Sequence, residues 1–448
     1  MYLALPKFRV VTLAMALSAS LTGGASAATS PETSATTSVR PTSPPLIWPD
    51  RLSLSQANEL AVTRNWDLLA ARADVDTAVA QQLIAREFPN PTFGLAISKI
   101  EADSHPAHTL VGNGVFDRSY DTIASFNQLL EVGGKRTARK ASAAAGLAAA
   151  RARWADARRQ LNLAITRSYV GILLAEESAT ILTDSAKALR REAELAATRL
   201  QAGDISTAER TQIEISASRL ELDARTATTT AATARYQLSV LLAAPVTSAR
   251  PLLTDPLTNL LERVTTASDS DRGTSSLRPD VVAALADVQR AGAELKLAHA
   301  QRIPDPTVQA QYEHQPADQP HTVGFGVSLP LPLWNRNRGG IAAARSAQVG
   351  AELNLHKIEA QAAAEVAVAE LELRNAQVRR EEFATRLVPQ SASVRQTITF
   401  AYEKGGASLL DLLTAQRNDN ELRLSAVQAA ADAVIAAATL SAARWVSP

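Results

Sequence analysis

Histidine is the residue type whose positions in this chain most resemble a chemical site. Four of the six histidines fall in two short segments that the surrounding pattern places in hairpin loops: His105, His108, His314 and His321. His105 and His108 stand three residues apart beside acidic residues, and imidazole and carboxylate groups are ligands that Zn²⁺ accepts. The same arrangement is common in solvated loops. His105 and His108 are therefore weak candidates for metal ligands, and the solvated interpretation stays open.

Other reactive side chains are absent or isolated. The chain contains no cysteine, which excludes disulfides, thiolate metal sites and a cysteine nucleophile. The only methionines, Met1 and Met15, lie in a segment predicted below to be removed, so a Cu(I) relay built on sulfur is excluded as well. No nucleophile–base set, phosphate loop or carboxylate pair has a supporting motif. The sequence predicts no catalytic residues, no cofactor and no enzymatic activity.

The composition of the 448 residues limits the possible fold classes and the possible kinds of binding partner. Lysine and arginine number 46 against 45 aspartate and glutamate, so no basic excess argues for nucleic acid binding. Hydrophobic residues make up 46% of the chain, but aromatic residues only 4%. The apolar content is therefore small and aliphatic, which favours long helices over an all-β sandwich.

The N-terminal segment has the features of a secretory signal. Lys7 and Arg9 precede an apolar run over 10–21, and Ala25-Ser26-Ala27 is a small-x-small cleavage site. We predict a signal peptide over 1–27, with a buried N-terminal helix as the alternative, and a Ser/Thr/Pro-rich tail over 28–51. No later stretch approaches twenty consecutive apolar residues, so the sequence predicts no transmembrane helix.

The rest of the chain repeats itself at a spacing of slightly over 200 residues. Three landmarks recur in the same order: Pro89-Asn90-Pro91-Thr92 as Pro304-Asp305-Pro306-Thr307, Gly133-Gly134 as Gly339-Gly340, and the turn from Gly203 to Ser206 as the turn from Gly405 to Ser408. We predict a first repeat over 52–245, a linker over 246–277 and a second repeat over 278–448. Each repeat reads as a helix, two strands, a long helix, a turn and a long helix.

Alternating apolar residues predict the strands. The strands are expected at about 92–100, 121–130, 307–314 and 321–331, about nine to eleven residues long, which suits a tilted membrane-spanning strand. One face should meet lipid through the apolar positions Phe93, Leu95, Ile97, Val323, Phe325 and Val327. Two ordinary soluble hairpins would show the same alternation, so that alternative remains.

The long helices carry clear start signals and a regular apolar seam. Ser206 with Glu209, and Ser408 with Asp411, have capping-box spacing after the turn glycines Gly203 and Gly405. Apolar residues then recur at spacings of four and three: Ile213, Ala217, Leu220, Ala224, Ala227, Ala231, Ala234, Leu238 and Leu241. The seam returns 202 residues later, where Asp419 alone breaks it. This predicts a wall of closely packed helices, with a plain coiled-coil rod as the alternative.

These elements together suggest a pore shared between copies. Four strands cannot close a barrel, and a membrane tolerates no open sheet edge. Strands that span a membrane would therefore have to be shared among several chains. A helix over about 135–202 would be about 100 Å long and would project into an aqueous compartment.

Four stretches of the sequence resemble the TolC-like outer-membrane factors of tripartite efflux systems, most closely their CzcC-type heavy-metal branch. They are Leu129-Leu130-Glu131-Val132-Gly133-Gly134-Lys135-Arg136, Leu331-Pro332-Leu333-Trp334-Asn335-Arg336-Asn337-Arg338-Gly339, Arg199 to Ser206, and Tyr402 to Gly405 running into Leu409-Leu410-Asp411. The resemblance covers about 52–445. It implies a TolC-like fold, mainly α with four strands per chain, in which a homotrimer shares a 12-stranded β-barrel in outer-membrane lipid above a periplasmic helical tunnel.

The resemblance also implies partners and sites. The protein would passively conduct substrates, heavy-metal cations in particular, from a periplasmic adaptor and an inner-membrane RND pump to the exterior. The adaptor-facing tips would contain Leu200, Gly203, Ile205, Ser206, Tyr402, Gly405 and Ser408, and the pore gate would contain Tyr402 and Asp411. Ala407 and Thr414 stand where TolC itself has an arginine and a second aspartate. The alternative is a soluble secreted coiled-coil scaffold or adaptor-like protein without a pore.

Overall fold

The structure is a computed structural model that describes residues 49–98, 121–244, 251–270, 278–315 and 321–445. It is mainly helical with a small β part, which confirms the predicted fold class. The predicted signal peptide and the candidate ligands His105 and His108 lie outside the described residues.

The two repeats have broadly the same order of elements. The first contains β1 (Arg51–Leu52), α1 (Leu54–Arg64), α2 (Trp66–Arg86), β2 (Thr92–Ser98), β3 (Asp121–Leu129), α3 (Lys135–Gln201) and α4 (Thr207–Leu241). β4 (Leu252–Leu253) and α5 (Leu257–Ser270) lie between the repeats. The second contains α6 (Pro279–Ala300), β5 (Thr307–His314), β6 (Thr322–Ser328), α7 (Arg338–Glu382), a π-helical segment (Phe383–Leu387), α8 (Val388–Glu403) and α9 (Leu409–Arg444).

The first helical stretch, predicted as one helix over about 53–88, is two helices that meet at Asn65. The side-chain oxygen of Asn65 accepts a hydrogen bond from the N–H of Leu68 at 3.0 Å, which caps α2. Its amide nitrogen donates to the carbonyl of Leu241 at 2.9 Å. The break therefore depends on a partner at the opposite end of the repeat, which local sequence patterns do not contain.

Helix α3 is the central element of the molecule. It runs for 67 residues without interruption, about 100 Å at 1.5 Å per residue. It contains no proline and is rich in alanine, the strongest helix former. It packs against α2 and α4 of its own repeat and against α6 and α9 of the second repeat.

The corresponding helix of the second repeat is interrupted, although the sequence pattern predicts one long helix there. The π-helical segment separates α7 from α8, and Pro389 is the second residue of α8. Proline lacks an N–H group and crowds the carbonyl four residues earlier, here that of Thr385. A wider π turn accommodates this local disruption without ending the helix.

The seams predicted on α4 and α9 lie at helix contacts. Ile213, Ala217 and Leu238 on α4 are buried, as are Ala429 and Ala433 on α9. Helix α9 is also apolar and long enough, by composition alone, to cross a membrane, although no such helix is predicted from the sequence. Half of its most apolar window is buried inside the protein, so core packing accounts for this composition.

The four longer strands form one antiparallel sheet in the order β2-β3-β5-β6. Phe93 lies opposite Phe126, Phe126 opposite Ala310, and Ala310 opposite Phe325. Because side chains alternate between faces, this register gathers the apolar residues on one side, hereafter the apolar face. Its members are Phe93, Leu95, Ile97, Ala124, Phe126, Val308, Ala310, Tyr312, Val323, Phe325 and Val327. The opposite face carries mainly glycine and polar residues, among them Ser125, Asn127, Gln309 and Gln311.

The apolar face is exposed, and all six residues expected to meet lipid lie on it. Phe325 is 85% exposed. Strands β2, β5 and β6 have seven or eight residues, fewer than the nine to eleven expected, whereas β3 has nine. Strand β6 ends at Ser328 because Pro330, shortly beyond it, cannot donate to a ladder. Within the described residues, β2 and β6 each pair with one strand, so the sheet has two open edges.

The largest core cluster includes the place where α3 passes the segment between the repeats. Strands β1 and β4 pair in parallel, and the hydroxyl of Tyr169 donates to the carbonyl of Leu52 at 2.9 Å. The Tyr169 oxygen also lies 3.2 Å from the carboxylate of Asp255. Burial raises the pKa of Tyr169 to about 12, so the residue stays a neutral donor that ties α3 to β1 and to Asp255, two residues after β4.

Candidate functional site

The tip of the first hairpin, between α3 and α4, is a tight turn that requires glycine. Gly203 has a φ of +83°, a conformation that residues with a Cβ adopt only with strain. The N–H of Gly203 donates to the carbonyl of Leu200 at 3.0 Å, and that of Asp204 donates to Arg199 at 2.9 Å. These bonds satisfy the last carbonyls of α3 and end the helix.

The tip of the second hairpin, between α8 and α9, repeats this turn 202 residues later. Gly405 has a φ of +76°, and its N–H donates to the carbonyl of Tyr402 at 3.1 Å. The N–H of Gly406 donates to Ala401 at 2.8 Å. Helices α4 and α9, which follow the two turns, begin with the predicted capping boxes. Ser206 pairs with Glu209 and Ser408 with Asp411, as the structure confirms.

The two tips share one apolar cluster. Its buried members come from both hairpins: Leu189, Ala196, Ile213, Ala217 and Leu409. Ile205 from the first tip and Tyr402 from the second pack against it. The guanidinium carbon of Arg199 lies 5.3 Å from the centre of the Tyr402 ring, within the range of a cation–π contact. The structure thus brings the predicted gate residue Tyr402 onto the first hairpin.

Two glutamates and one arginine influence the charge state of Tyr402. Burial raises the pKa of Tyr402, the nearby charges of Glu209 and Glu192 raise it further, and Arg199 opposes them. Burial likewise raises the pKa of Glu192, with the charge of Glu403 acting in the same direction. Sequence reasoning missed Arg199 and Glu192, because their proximity to Tyr402 arises only when the two hairpins pack side by side.

The predicted gate residue Asp411 is exposed and caps its own helix. Its carboxylate accepts hydrogen bonds from the N–H of Ser408 at 3.0 Å and from the Ser408 hydroxyl at 2.6 Å. These two hydrogen bonds hold the pKa of Asp411 below its ordinary range. The group therefore remains charged at neutral pH. The role of Asp411 in the pore gate stays a prediction.

The motif Leu129 to Arg136 forms the junction between the sheet and α3. The ammonium of Lys135 lies 2.7 Å from the carboxylate of Asp305, which also accepts a hydrogen bond from the N–H of Val132 at 2.9 Å. Burial alone would raise the pKa of Asp305, but Lys135 and Val132 outweigh it and hold the pKa below its usual value. The pair therefore stabilises the fold above the ordinary aspartate pKa and loses that contribution as the pH falls through the lowered value.

Glu131 and Arg139 reinforce the same junction through two hydrogen bonds, at 2.5 and 2.9 Å. These bonds lower the pKa of Glu131. Gly133 has a φ of +74°, and a Cβ there would come within 2.9 Å of Ile303. The junction thus joins the two repeats, because Ile303 and Asp305 belong to the second one.

Two of the described histidines, His314 and His321, form a small cluster with Tyr312 at the end of the sheet away from the helices. The Tyr312 hydroxyl and Nδ1 of His321 are 2.6 Å apart, and the ring centres of His314 and His321 are 5.1 Å apart. Among the described residues, no group of three or more His, Asp or Glu side chains is placed to hold a metal ion. The suggested ligands His105 and His108 are not among those residues.

Comparison with known proteins identifies the family. The family model described as outer membrane efflux protein matches residues 58–244 and 274–444. The cobalt-zinc-cadmium resistance protein CzcC of Cupriavidus metallidurans is 24% identical over 380 residues, which cover 83% of this chain and 85% of CzcC.

Two solved structures share the fold. The outer membrane protein VceC of Vibrio cholerae matches with a TM-score of 0.70 and 20% identity, covering 87% of this chain and 95% of VceC. The MtrE outer membrane channel of Neisseria gonorrhoeae matches with a TM-score of 0.65 and 18% identity, covering 87% of this chain and 88% of MtrE.

The resemblance read from the sequence is thereby confirmed, and the soluble scaffold is set aside. The matched ranges cover both repeats, including the strands and the two hairpin tips. The protein lies in the outer membrane with its helical tunnel in the periplasm, and it serves as an efflux duct. The chain belongs to the outer membrane efflux protein family.

Proposed function

We propose that this duct conducts heavy-metal cations, and that its periplasmic end is closed by the two hairpin tips. The cation assignment rests on the similarity to CzcC, a cobalt-zinc-cadmium resistance protein, over most of both chains. A passive duct takes its substrates from the pump that feeds it, so the assignment concerns the whole assembly rather than a binding site in this chain.

The proposed partners follow from the same family. Three copies share one 12-stranded barrel, and the tips meet a periplasmic adaptor that connects them to an inner-membrane RND pump. The open edges at β2 and β6 support the shared barrel, because strands in a membrane must be paired on both sides. The adaptor would contact Leu200, Gly203, Ile205 and Ser206, together with the equivalent Tyr402, Gly405 and Ser408.

The geometry of the two hairpin tips is the observation that supports the proposed gate. Tyr402 packs against the cluster shared by both hairpins, and Asp411 carries an exposed charge at the start of α9. Opening the duct would require the second hairpin to leave this cluster. In this proposal the chain performs no catalysis and holds no cofactor.

Deletion of the gene tests the substrate class. The deletion strain should lose tolerance to cobalt, zinc and cadmium, and the intact gene should restore it. Tolerance to a panel of organic drugs serves as the control. Sensitivity to drugs with unchanged tolerance to all three metals would overturn the cation assignment.

Site-specific cross-linking tests the adaptor contact. The chain has no cysteine, so a cysteine placed at Asp204 or Lys404 is a unique attachment point. Cross-links to the adaptor should form from these tip positions, whereas a cysteine at exposed Arg219, about a third of the way along α4, should give none. Equal yields from all three positions would remove the tips from the adaptor interface.

A further inference from the structure

A polar layer crosses the second hairpin about two helical turns from its tip. Asp419 lies in the seam of α9, where only 1% of it is exposed. The Ser391 hydroxyl donates to Oδ1 of Asp419 at 2.5 Å, and Nε of Arg395 lies 3.0 Å from Oδ2. Ser391 and Arg395 belong to α8, so one buried carboxylate joins both helices of the hairpin.

The layer extends to a third helix. The hydroxyl of Ser185, on α3, donates to the side-chain oxygen of Asn420 at 2.6 Å. Arg423, one turn along α9 from Asp419, approaches the same carboxylate at 3.9 Å. Polar side chains of α3, α8 and α9 therefore meet at a single level of the helical wall.

The first hairpin is apolar at the same level. Positions 202 residues before Ser391, Arg395 and Asp419 are occupied by Leu189, Ala193 and Ala217. Leu189 and Ala217 are buried, and Ala193 packs against them in the shared apolar cluster. The two hairpins thus have the same turn and the same caps but opposite chemistry in the seam above them.

These two kinds of seam respond differently to movement. Separating an apolar seam exposes apolar surface to water, whereas separating a buried ion pair lets both charged groups recover their hydration, so the polar seam opens at lower cost. Nε of Arg395 is buried without a well-aligned hydrogen bond, so its pairing with Asp419 depends on close approach. The π-helical segment ends four residues before Ser391, and such a segment is a place where a helix can bend.

We propose that Ser391, Arg395 and Asp419 form a polar latch that sets how readily the second hairpin opens. Asp419 is then a positioning residue for the gate. Tyr402 follows Arg395 by two turns on α8, and Asp411 precedes Asp419 by about two turns on α9, so the latch controls the relative placement of both. This inference rests on the proposed gate at the hairpin tips.

Exchanging seam residues between the hairpins tests the latch. The triple variant Ser391→Leu, Arg395→Ala and Asp419→Ala gives the second hairpin the seam of the first. Amide hydrogen exchange of α8 and the start of α9, measured on the assembled protein in detergent, should slow by about tenfold or more. The open fraction in planar bilayers should fall. Asp419→Asn, which keeps the shape but removes the charge, should accelerate exchange in the same segments.

A matched change in the first hairpin serves as the control. Arg219→Gln, at an exposed position of α4 outside the shared apolar cluster, should leave exchange in α8 and α9 unchanged. Unchanged exchange in the second hairpin of both the triple variant and Asp419→Asn would overturn the latch. Slower exchange with an unaltered open fraction would support the latch and instead overturn the gate at the tips.

Discussion

The outbound helices of the two repeats, α3 and the pair α7–α8, have the same place in the sequence pattern but different surroundings. Helix α3 is continuous and is packed by helices of both repeats. Helix α7 packs mainly against α6 and α9 of its own repeat, and its buried residues, among those described, are Ala369 and Ala376. Equivalent sequence therefore does not give equivalent burial within one chain.

The difference indicates where a neighbouring copy lies. The partners that α3 gains from the second repeat, α6 and α9, correspond to α2 and α4 of the first repeat. We expect α2 and α4 of a neighbouring copy beside α7, on the side that exposes apolar residues. These residues are Val349, Leu353, Val368, Leu371 and Val378. The two outbound helices would then have similar surroundings in the assembled ring.

A matched pair of charge substitutions should show the largest difference between α3 and α7. Ile165 on α3 is fully buried, whereas Leu371, 206 residues later on α7, is 61% exposed. Ile165→Asp should destabilise the chain by roughly 4 kcal/mol, because it buries an unpaired charge. Leu371→Asp should leave the chain folded but prevent its assembly. Circular dichroism and light scattering in detergent measure the two outcomes, and a trimer formed by Leu371→Asp would refute the expected interface.

The sheet should behave in the opposite way, with both repeats equally sensitive. Phe325→Lys and Phe93→Lys each place a charge on the apolar face, which costs about 2–4 kcal/mol at the membrane midplane. Both should reduce insertion into the outer membrane. Gly326→Ser is the control, because a Cβ there would lie 3.7 Å from Gln309, an ordinary contact. Normal insertion of both lysine variants would show that this face does not meet lipid.

Substitutions in the seams of α4 and α9 should have effects of intermediate size. Ala429 on α9 is fully buried, whereas its counterpart Ala227 on α4 is half-buried and lines an open groove between α3, α4 and α9. Ala429→Leu should therefore overpack the seam and cost roughly 1–3 kcal/mol. Ala227→Leu should cost less, since the groove can accept part of the larger side chain. Thermal melts compare the two, and a larger loss for Ala227→Leu would reverse the assignment of the tight seam.

The smallest effect on stability should come from the capping carboxylates, where conduction is the better measurement. Asp411→Asn should weaken cation preference and block by divalent ions, because a ring of carboxylates attracts cations. Glu209→Gln, the equivalent change at the first tip, should do neither. The lowered pKa of Asp411 means that block should persist into mildly acidic solution and disappear as the pH falls through that value. Identical block in wild type and Asp411→Asn would remove Asp411 from the pore.

Local patterns predicted much of this fold because their determinants are close in sequence. Ser206 with Glu209 fixes a cap within one turn, and the four-and-three spacing from Ile213 to Leu241 defines a seam without knowledge of its partner. The alternation of apolar and polar residues along the strands likewise predicted the two faces of the sheet. At the candidate site, the turn glycines and their positive φ values were accessible in the same way.

The features that escaped prediction depend on distant partners. Asn65 separates α1 from α2 and donates a hydrogen bond to the distant carbonyl of Leu241. The buried hydroxyl of Tyr169 has its hydrogen-bond partners at Leu52 and Asp255, which are also distant in sequence from it. In the sequence alone, Asp419 is a polar interruption of an apolar seam. The structure shows that Ser391 and Arg395 on α8 are its partners. The sequence shows that a residue is charged, but it does not show whether an oppositely charged partner lies across a helix interface.

The open edges of the sheet have a consequence for genetics. A copy whose edge strand is defective can still occupy a place in the ring, and one such copy leaves the barrel unsealed. With equal amounts of normal and defective chains and random mixing, about one eighth of three-membered rings would contain only normal copies. Edge mutations should therefore be dominant over the normal allele, whereas mutations that prevent the chain from folding should be recessive.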